Sequence, residues 1–416
     1  MNMLINPALL SGSVRVPSSK SDAHRAMICA ALCDGQSLIH GMTDSDDITA
    51  TANCLTAMGA KFQKNGDSLK IIGGGYEKTA TLDCGESGST LRFLLPIAGA
   101  LGINAKVTGR GRLPQRPIDI ICNLMRAHGV DVSGDSLPLD ISGVLTGGRF
   151  TLPGNVSSQY ITGLLLALPL IGGGEILLTN EIESVGYIDM TIRTMAAFGV
   201  DVARGAHTYT VPPDAKYKPC NYTVEGDWSA AAFLLAAGAL GGKVEVLGLC
   251  ENSLQGDAQI VSILKEFGAN IEHNDGIYYA RGGNLKGIEL DASQIPDMVP
   301  VLSTIAAMAD GVTKIYGAAR LRIKESDRLS AIANALTEFG IKVEEKPDSI
   351  TIQGGGFKNT PRIINGVMDH RIVMAFAVLA AYAPSETAVS DCFAVNKSYP
   401  AFWQDYKKLG GACDVI

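Results

Sequence analysis

The sequence predicts a two-domain α/β protein built from six copies of one unit, and three observations support this. The first is a glycine that ends a helix and precedes a strand: Gly59, Gly129, Gly199, Gly268, Gly340 and Gly410 recur at intervals of 69–72 residues. A helix that ends in a left-handed residue favours glycine there, because glycine has no Cβ to clash. The second is a small polar residue opening a nearly all-apolar helix, at Ser18, Ser87, Ser157, Asp227, Asp297 and Asp369, again 69–72 residues apart. The third is the switch of that residue from serine in the first three units to aspartate in the last three, which divides the chain near residue 226.

Within a unit, the opening helix is expected inside. Stretches such as Ala230 to Leu240 and Val299 to Ala309 are apolar on every side, which suits burial. The second helix, exemplified by Ile260 to Phe267, is amphipathic and belongs outside. Strands follow the glycine, as at Val130-Asp131-Val132 and Ile341-Lys342-Val343. A hairpin then closes the unit, with turns at Asn65-Gly66-Asp67, Gly134-Asp135, Asn274-Asp275-Gly276 and Lys346-Pro347-Asp348. The sixth unit reaches Ile416 without its hairpin, while Met3-Leu4-Ile5 and Val14-Arg15-Val16 are strand-like segments without a unit. The N-terminus is therefore expected to complete the last unit. The domains are expected at 13–226 and at 1–12 with 227–416. The chain would cross between them near residues 12–17 and 225, giving a hinge around a central cleft.

Composition narrows the function. Hydrophobic residues at 46% and charged residues at 19% describe a globular chain. The longest apolar run, Gly163 to Ile171, contains Pro169 and ends in three glycines, short of the ~20 residues of a membrane span. The first residues lack a secretory pattern, so a cytoplasmic protein is expected. Nine cysteines without a C-x-x-C pair and six dispersed histidines give no disulfide framework or zinc signature, so no metal or other cofactor is expected. A net charge of −7 argues against a nucleic-acid partner. Small molecules are the expected partners, with neither membrane nor nucleic acid involved, and the chain is expected to act as a monomer.

Against that acidic background the cations are grouped: Lys20 and Arg25; Arg110, Arg112 and Arg116; Arg320, Arg322, Lys324 and Arg328; Arg371; and Lys397. Arginine forks pair with phosphate and carboxylate. Helix N-termini, with their unpaired N–H groups, favour the same anions. Ser18-Ser19-Lys20-Ser21, Ser87-Gly88-Ser89-Thr90 and Ser157-Ser158-Gln159 add hydroxyls, and Gly88 allows close backbone approach. Asp297 and Glu325 lie beside the cations as acid–base candidates, Asp297 having a helix cap as its structural alternative. No Ser-His-Asp arrangement or activated cysteine indicates covalent catalysis.

These stretches resemble the enolpyruvyl transferases across essentially the whole chain, on the branch that acts on shikimate 3-phosphate. The matching segments are Pro17-Ser18-Ser19-Lys20-Ser21 with Arg25, Gln115-Arg116-Pro117-Ile118, Ser157-Ser158-Gln159-Tyr160, Gly226-Asp227, Arg322 to Arg328, Asp369-His370-Arg371 and Val395 to Pro400. The resemblance implies a two-domain inside-out α/β barrel, each domain three β-α-β-α-β-β units around buried helices. It implies transfer of the enolpyruvyl group of phosphoenolpyruvate to the 5-hydroxyl of shikimate 3-phosphate by addition and elimination, with release of phosphate. Shikimate 3-phosphate would be held by Lys20, Ser21, Arg25, Ser157, Ser158, Gln159, Ser184, Asp297 and Lys324. Phosphoenolpyruvate would be gripped by Lys20, Gly88, Arg116, Gln159, Arg328, Arg371 and Lys397. Asp297 and Glu325 would move protons, assisted by Lys20 and Lys324. The chain departs from the family pattern at Glu86, Phe93 and Arg320. Two alternatives are a transferase of the same fold acting on UDP-N-acetylglucosamine, whose loop cysteine has no counterpart in Gly109 to Arg116, and a non-catalytic anion-binding protein.

Overall fold

Twelve helices carry the architecture in the computed structural model, which describes residues 1–416. They are α1 (Lys20–Leu32), α2 (Asp46–Ala57), α3 (Gly88–Ala100), α4 (Asp119–Ala127), α5 (Ser158–Ala167), α6 (Val185–Ala197), α7 (Trp228–Ala239), α8 (Ile260–Phe267), α9 (Val299–Met308), α10 (Arg328–Glu338), α11 (His370–Ala380) and α12 (Phe402–Lys408). The odd-numbered helices are buried over nearly their whole length. The even-numbered ones bury one face, as α8 does with Ile260, Ile263, Leu264 and Phe267. All six repeat glycines have φ between +74° and +116°.

The chain divides into two compact units, Ser18–Glu225 and Met1–Pro17 with Gly226–Ile416, each with its own apolar core. Each unit holds three four-stranded sheets, and each sheet is assembled the same way. In one of them Thr79–Asp83 runs parallel to Asn104–Thr108, which pairs antiparallel with Leu139–Gly143, itself antiparallel to Val130–Val132. The parallel strand ends one repeat and the other three belong to the next, with a buried helix as the crossover.

At the two chain crossings the parallel strands are exchanged. Asn221–Thr223 pairs with Gly35–His40, while Ser11–Arg15 pairs with Lys243–Leu247. Met3–Asn6 lies antiparallel between Thr387–Val389 and Ala412–Val415, supplying the strand the sixth repeat lacks. The expected boundary at residue 13 falls inside the strand Ser11–Arg15, which its pairing assigns to the unit containing Gly226–Ile416.

The helix starts differ from expectation at two points. The cap of α1 is Ser19, whose Oγ accepts from the Asp22 N–H, rather than Ser18. Asp297 sits in a 3-10 turn, Pro296–Met298, and α9 begins after it at Val299. Ser87, Ser157, Asp227 and Asp369 cap α3, α5, α7 and α11. No helix is long and apolar enough to cross a membrane.

Candidate functional site

In the unit Ser18–Glu225 the polar side chains gather around the first turns of α1, α3 and α5. Arg25, 2% exposed, donates to Thr191 Oγ1 at 2.8 Å, to the Ser21 carbonyl at 2.6 Å and to the Tyr187 carbonyl at 2.9 Å. Its guanidinium lies 5.2 Å from the centre of the Phe93 ring. The departure at Phe93 thus provides an aromatic face for a buried cation. Burial lowers the Arg25 pKa to about 10, with Asp22 opposing, so it stays charged at neutral pH. Ser184 enters α6 with a left-handed backbone at φ +56° and is buried.

A second network joins α3 to α5. Gln159 accepts through Oε1 from Arg92 at 3.1 Å and donates through Nε2 to Ser89 Oγ at 3.0 Å. Ser157 caps α5 by accepting from the Gln159 N–H, and Ser158 is buried behind it. Gly88 gives room to the two guanidiniums nearby. A Cβ there would stand 2.7 Å from one Arg92 nitrogen and 2.9 Å from one Arg116 nitrogen. Two guanidiniums and the positive end of α3 therefore face one spot, which suits an anion. Lys20 is held by Asp47 at 2.7 Å, apart from the Arg25 network. Glu86 lies against Gly111, in the loop that carries Arg110 and Arg112.

In the unit containing Gly226–Ile416 the centre is Asp297. Its Oδ1 is 2.7 Å from Arg328 and 3.3 Å from Lys324, and its Oδ2 is 3.5 Å from Arg371. Burial alone would raise its pKa, but Arg371, Lys324 and Arg328 outweigh burial and hold it well below the usual carboxylate range. Arg328, 1% exposed, also meets Glu325 at 2.8 Å and Asp369 through two nitrogens at 2.8 and 3.2 Å. Burial lowers the Lys324 pKa to about 8, Asp297 opposing it, so its proton is exchangeable near neutrality. The side chain keeps 24% of its exposure, which leaves it open to a ligand. Arg371 also donates to the Asp297 carbonyl at 3.0 Å. Lys397 is buried at the end of a 3-10 helix, Cys392–Lys397, the counterpart of Lys324 after Ala319–Ile323. The remaining departure, Arg320, is tied to the Ser293 carbonyl at 2.5 Å.

Several residues in and around these networks were not among the candidates, Arg92, Asp369 and Asp257 among them. Arg92 links α3 to α5; its signal was a lone arginine inside an apolar helix, which must find partners. Asp369 holds Arg328 in addition to capping α11. Asp257, 2% exposed, has its pKa pushed up to about 6 by burial, with Arg371 opposing, and accepts from Ser229 Oγ. No sequence pattern marked it.

Known proteins of one family resemble this chain over its whole length. A family model described as EPSP synthase (3-phosphoshikimate 1-carboxyvinyltransferase) matches residues 5–406. A 3-phosphoshikimate 1-carboxyvinyltransferase of Clostridium kluyveri is 41% identical over 416 residues, covering 99% of this chain and 97% of that one. The EPSP synthase structure from Acinetobacter baumannii superposes with a TM-score of 0.82 at 26% identity, covering 100% of both chains. The enolpyruvyl transferase NikO from Streptomyces tendae shares the fold, with a TM-score of 0.80 at 16% identity over 99% of this chain and 98% of that one.

Proposed function

The chain belongs to the EPSP synthase family, and we propose that the two polar networks described above both serve that family's reaction. It is a transferase that moves the carboxyvinyl group of phosphoenolpyruvate to shikimate 3-phosphate, in the shikimate pathway towards chorismate and the aromatic amino acids. Ser21, Arg25, Ser157, Ser158, Gln159 and Ser184 hold shikimate 3-phosphate, with Lys20, Asp297 and Lys324 completing its contacts. Gly88, Arg116, Gln159, Arg328, Arg371, Lys397 and Lys20 take phosphoenolpyruvate. Each unit is read as an inside-out α/β barrel, supported by its three buried helices and three four-stranded sheets.

The observation that carries the assignment is Asp297 among three cations. This carboxylate balances charges that would also attract a substrate anion. Arg371 makes the longest of the three contacts, at 3.5 Å, and also donates to the Asp297 carbonyl at 3.0 Å. Arg328 spends four of its five N–H groups on Asp297, Glu325 and Asp369. It therefore acts mainly as a fixed charge, with one N–H left for phosphoenolpyruvate. Once Arg371 and Lys324 engage substrate, Asp297 loses stabilisation of its anion and becomes a better base.

The chemistry then needs two proton movements. The 5-hydroxyl oxygen of shikimate 3-phosphate bonds to C2 of phosphoenolpyruvate, losing its proton to Asp297 or Lys324, while C3 gains one from Glu325 or Lys20. The group that protonated C3 then takes a proton back from it, the C2–O bond to phosphate breaks, phosphate leaves and the double bond is restored. Positioning and fixed positive charge around the phosphate and carboxylate supply most of the acceleration. Inorganic phosphate release from the purified chain tests the assignment. Release is expected only when both substrates are present; release with UDP-N-acetylglucosamine in place of shikimate 3-phosphate would overturn it.

A further inference from the structure

Five residues other than glycine adopt a left-handed backbone: Ser184, Asp275, Val367, Met368 and Asp391. Asp275 belongs to the turn Asn274-Asp275-Gly276, where such a conformation is usual. Three of the others meet in one place. Val367, at φ +46°, is the most anomalous, because a β-branched side chain crowds the backbone there, and Met368 follows it at +54°. Conformations of this kind persist only where the surroundings over-determine them.

Those surroundings are specific. Asn365 Oδ1 accepts from the Val367 N–H at 2.9 Å, and Asp391 Oδ2 accepts from the Met368 N–H at 3.2 Å. Ser390 Oγ accepts from the Gly366 N–H at 3.0 Å and donates to Asp391 Oδ2 at 3.0 Å. The Asp369 N–H turns back to the Gly366 carbonyl at 2.9 Å. A Cβ on Gly366 would stand 2.3 Å from the Ser390 carbonyl oxygen, so the two segments are packed backbone to backbone. Asp391, itself left-handed at φ +57°, immediately precedes the 3-10 helix Cys392–Lys397.

We propose that Asn365, Ser390 and Asp391 are positioning residues for the transfer. By clamping Val367 and Met368 in the left-handed region they aim Asp369, and through it Arg328 and Arg371, and hold Lys397 in register with them. The inference rests on the assignment of these cations to phosphoenolpyruvate. Asp369 receives two nitrogens of Arg328 and the backbone N–H of Arg371, so a small rotation at residue 369 displaces both. The three clamp residues act through the backbone, without contact to substrate.

The test compares kcat, the KM for each substrate and the melting temperature of Asp391→Ala, Asp391→Asn and Val367→Gly in the full chain, with Lys397→Met alongside. Loss of one hydrogen bond to the strained backbone should raise the KM for phosphoenolpyruvate about tenfold in Asp391→Ala, and that for shikimate 3-phosphate less than about twofold. Asp391→Asn keeps an acceptor and tolerates the left-handed region, and should restore the lost affinity. Val367→Gly should keep or raise the melting temperature while still raising the KM for phosphoenolpyruvate, because glycine has no single preferred conformation there. A lower melting temperature in Asp391→Ala with both KM values unchanged, or raised equally, overturns the clamp. If Asp391→Ala does not fold, Val367→Gly decides the matter, and a wild-type KM there overturns the proposal. An unchanged KM in Lys397→Met overturns the site assignment, and the clamp falls with it. A raised KM in Lys397→Met with wild-type kinetics in the clamp variants overturns the clamp alone.

Discussion

Glu325 and Arg328 form a buried ion pair, for which the proposed role is in the chemistry. The Glu325 Oε2 accepts from Arg328 at 2.8 Å, and the same guanidinium is shared with Asp297 and Asp369. Burying charges is costly unless each is paired, so the network is held by mutual need, and deleting one member would disturb the rest. Glu325→Gln avoids that. The amide oxygen can still accept from Arg328, while the capacity to carry a proton is lost. Turnover should fall by about a hundredfold, the usual contribution of one general acid–base group. Both substrates should still bind by calorimetry, and near-normal turnover would remove Glu325 from the proton transfers. The charged members of this group were visible in sequence as Lys324-Glu325-Ser326-Asp327-Arg328, because a cluster of cations in an acidic chain stands out. The partners of Arg92 were not, because Gln159 and Pro117 lie 67 and 25 positions away and only tertiary packing brings them to it. Asp297 was legible only as an alternative between cap and site. The turn Pro296–Met298 removes the cap reading by delaying the helix to Val299.

Among the elements, the repeat rhythm was legible because most units carry two chemical requirements, a side-chain acceptor at the start of the buried helix and a left-handed residue after the outer one. The strand exchange at the crossings had no such local mark, and neither did the one-residue shift of the α1 cap from Ser18 to Ser19. How closely two helices approach is also a tertiary quantity, and Gly163 is the clearest case. A Cβ at Gly163 would stand 2.3 Å from the Arg92 carbonyl oxygen and 3.0 Å from Pro96. The contact lies one turn along α5 from Gln159, whose hydrogen bond to Arg92 spans the same pair of helices. Gly163→Ala should therefore destabilise the chain by about 1–3 kcal/mol through overpacking. By pushing α5 away from α3 it should also lower kcat/KM at temperatures where the variant remains folded. A thermal melt and phosphate-release kinetics on the same preparation check both. An unchanged melting temperature would mean that the two helices are not held as closely as the geometry indicates.

For the whole molecule, the exchange of strands makes one unit discontinuous in sequence. Met1–Pro17 must join Gly226–Ile416, while Ser18–Glu225 is continuous. The strand Met3–Asn6 bridges its sheet: Ala412–Val415 pairs with it on one side and Thr387–Val389 on the other. Met3 and Ile5 are both buried, and Asn2 exchanges two backbone hydrogen bonds with Ile416. Removing residues 1–6 would leave Ala412–Val415 without a strand partner. Burial of two large apolar side chains alone contributes roughly 3–6 kcal/mol, comparable to the whole stability of an average domain, about 5–15 kcal/mol. The truncated chain should therefore melt in two steps by calorimetry, the unit containing Gly226–Ile416 losing its structure first and Ser18–Glu225 later. A synthetic peptide of residues 1–9, added in excess, should raise the lower transition, because a segment that binds only the folded unit stabilises it by mass action. A single transition at the temperature of the full chain would mean that the first strand is dispensable, and that this unit closes through Ser11–Arg15 alone.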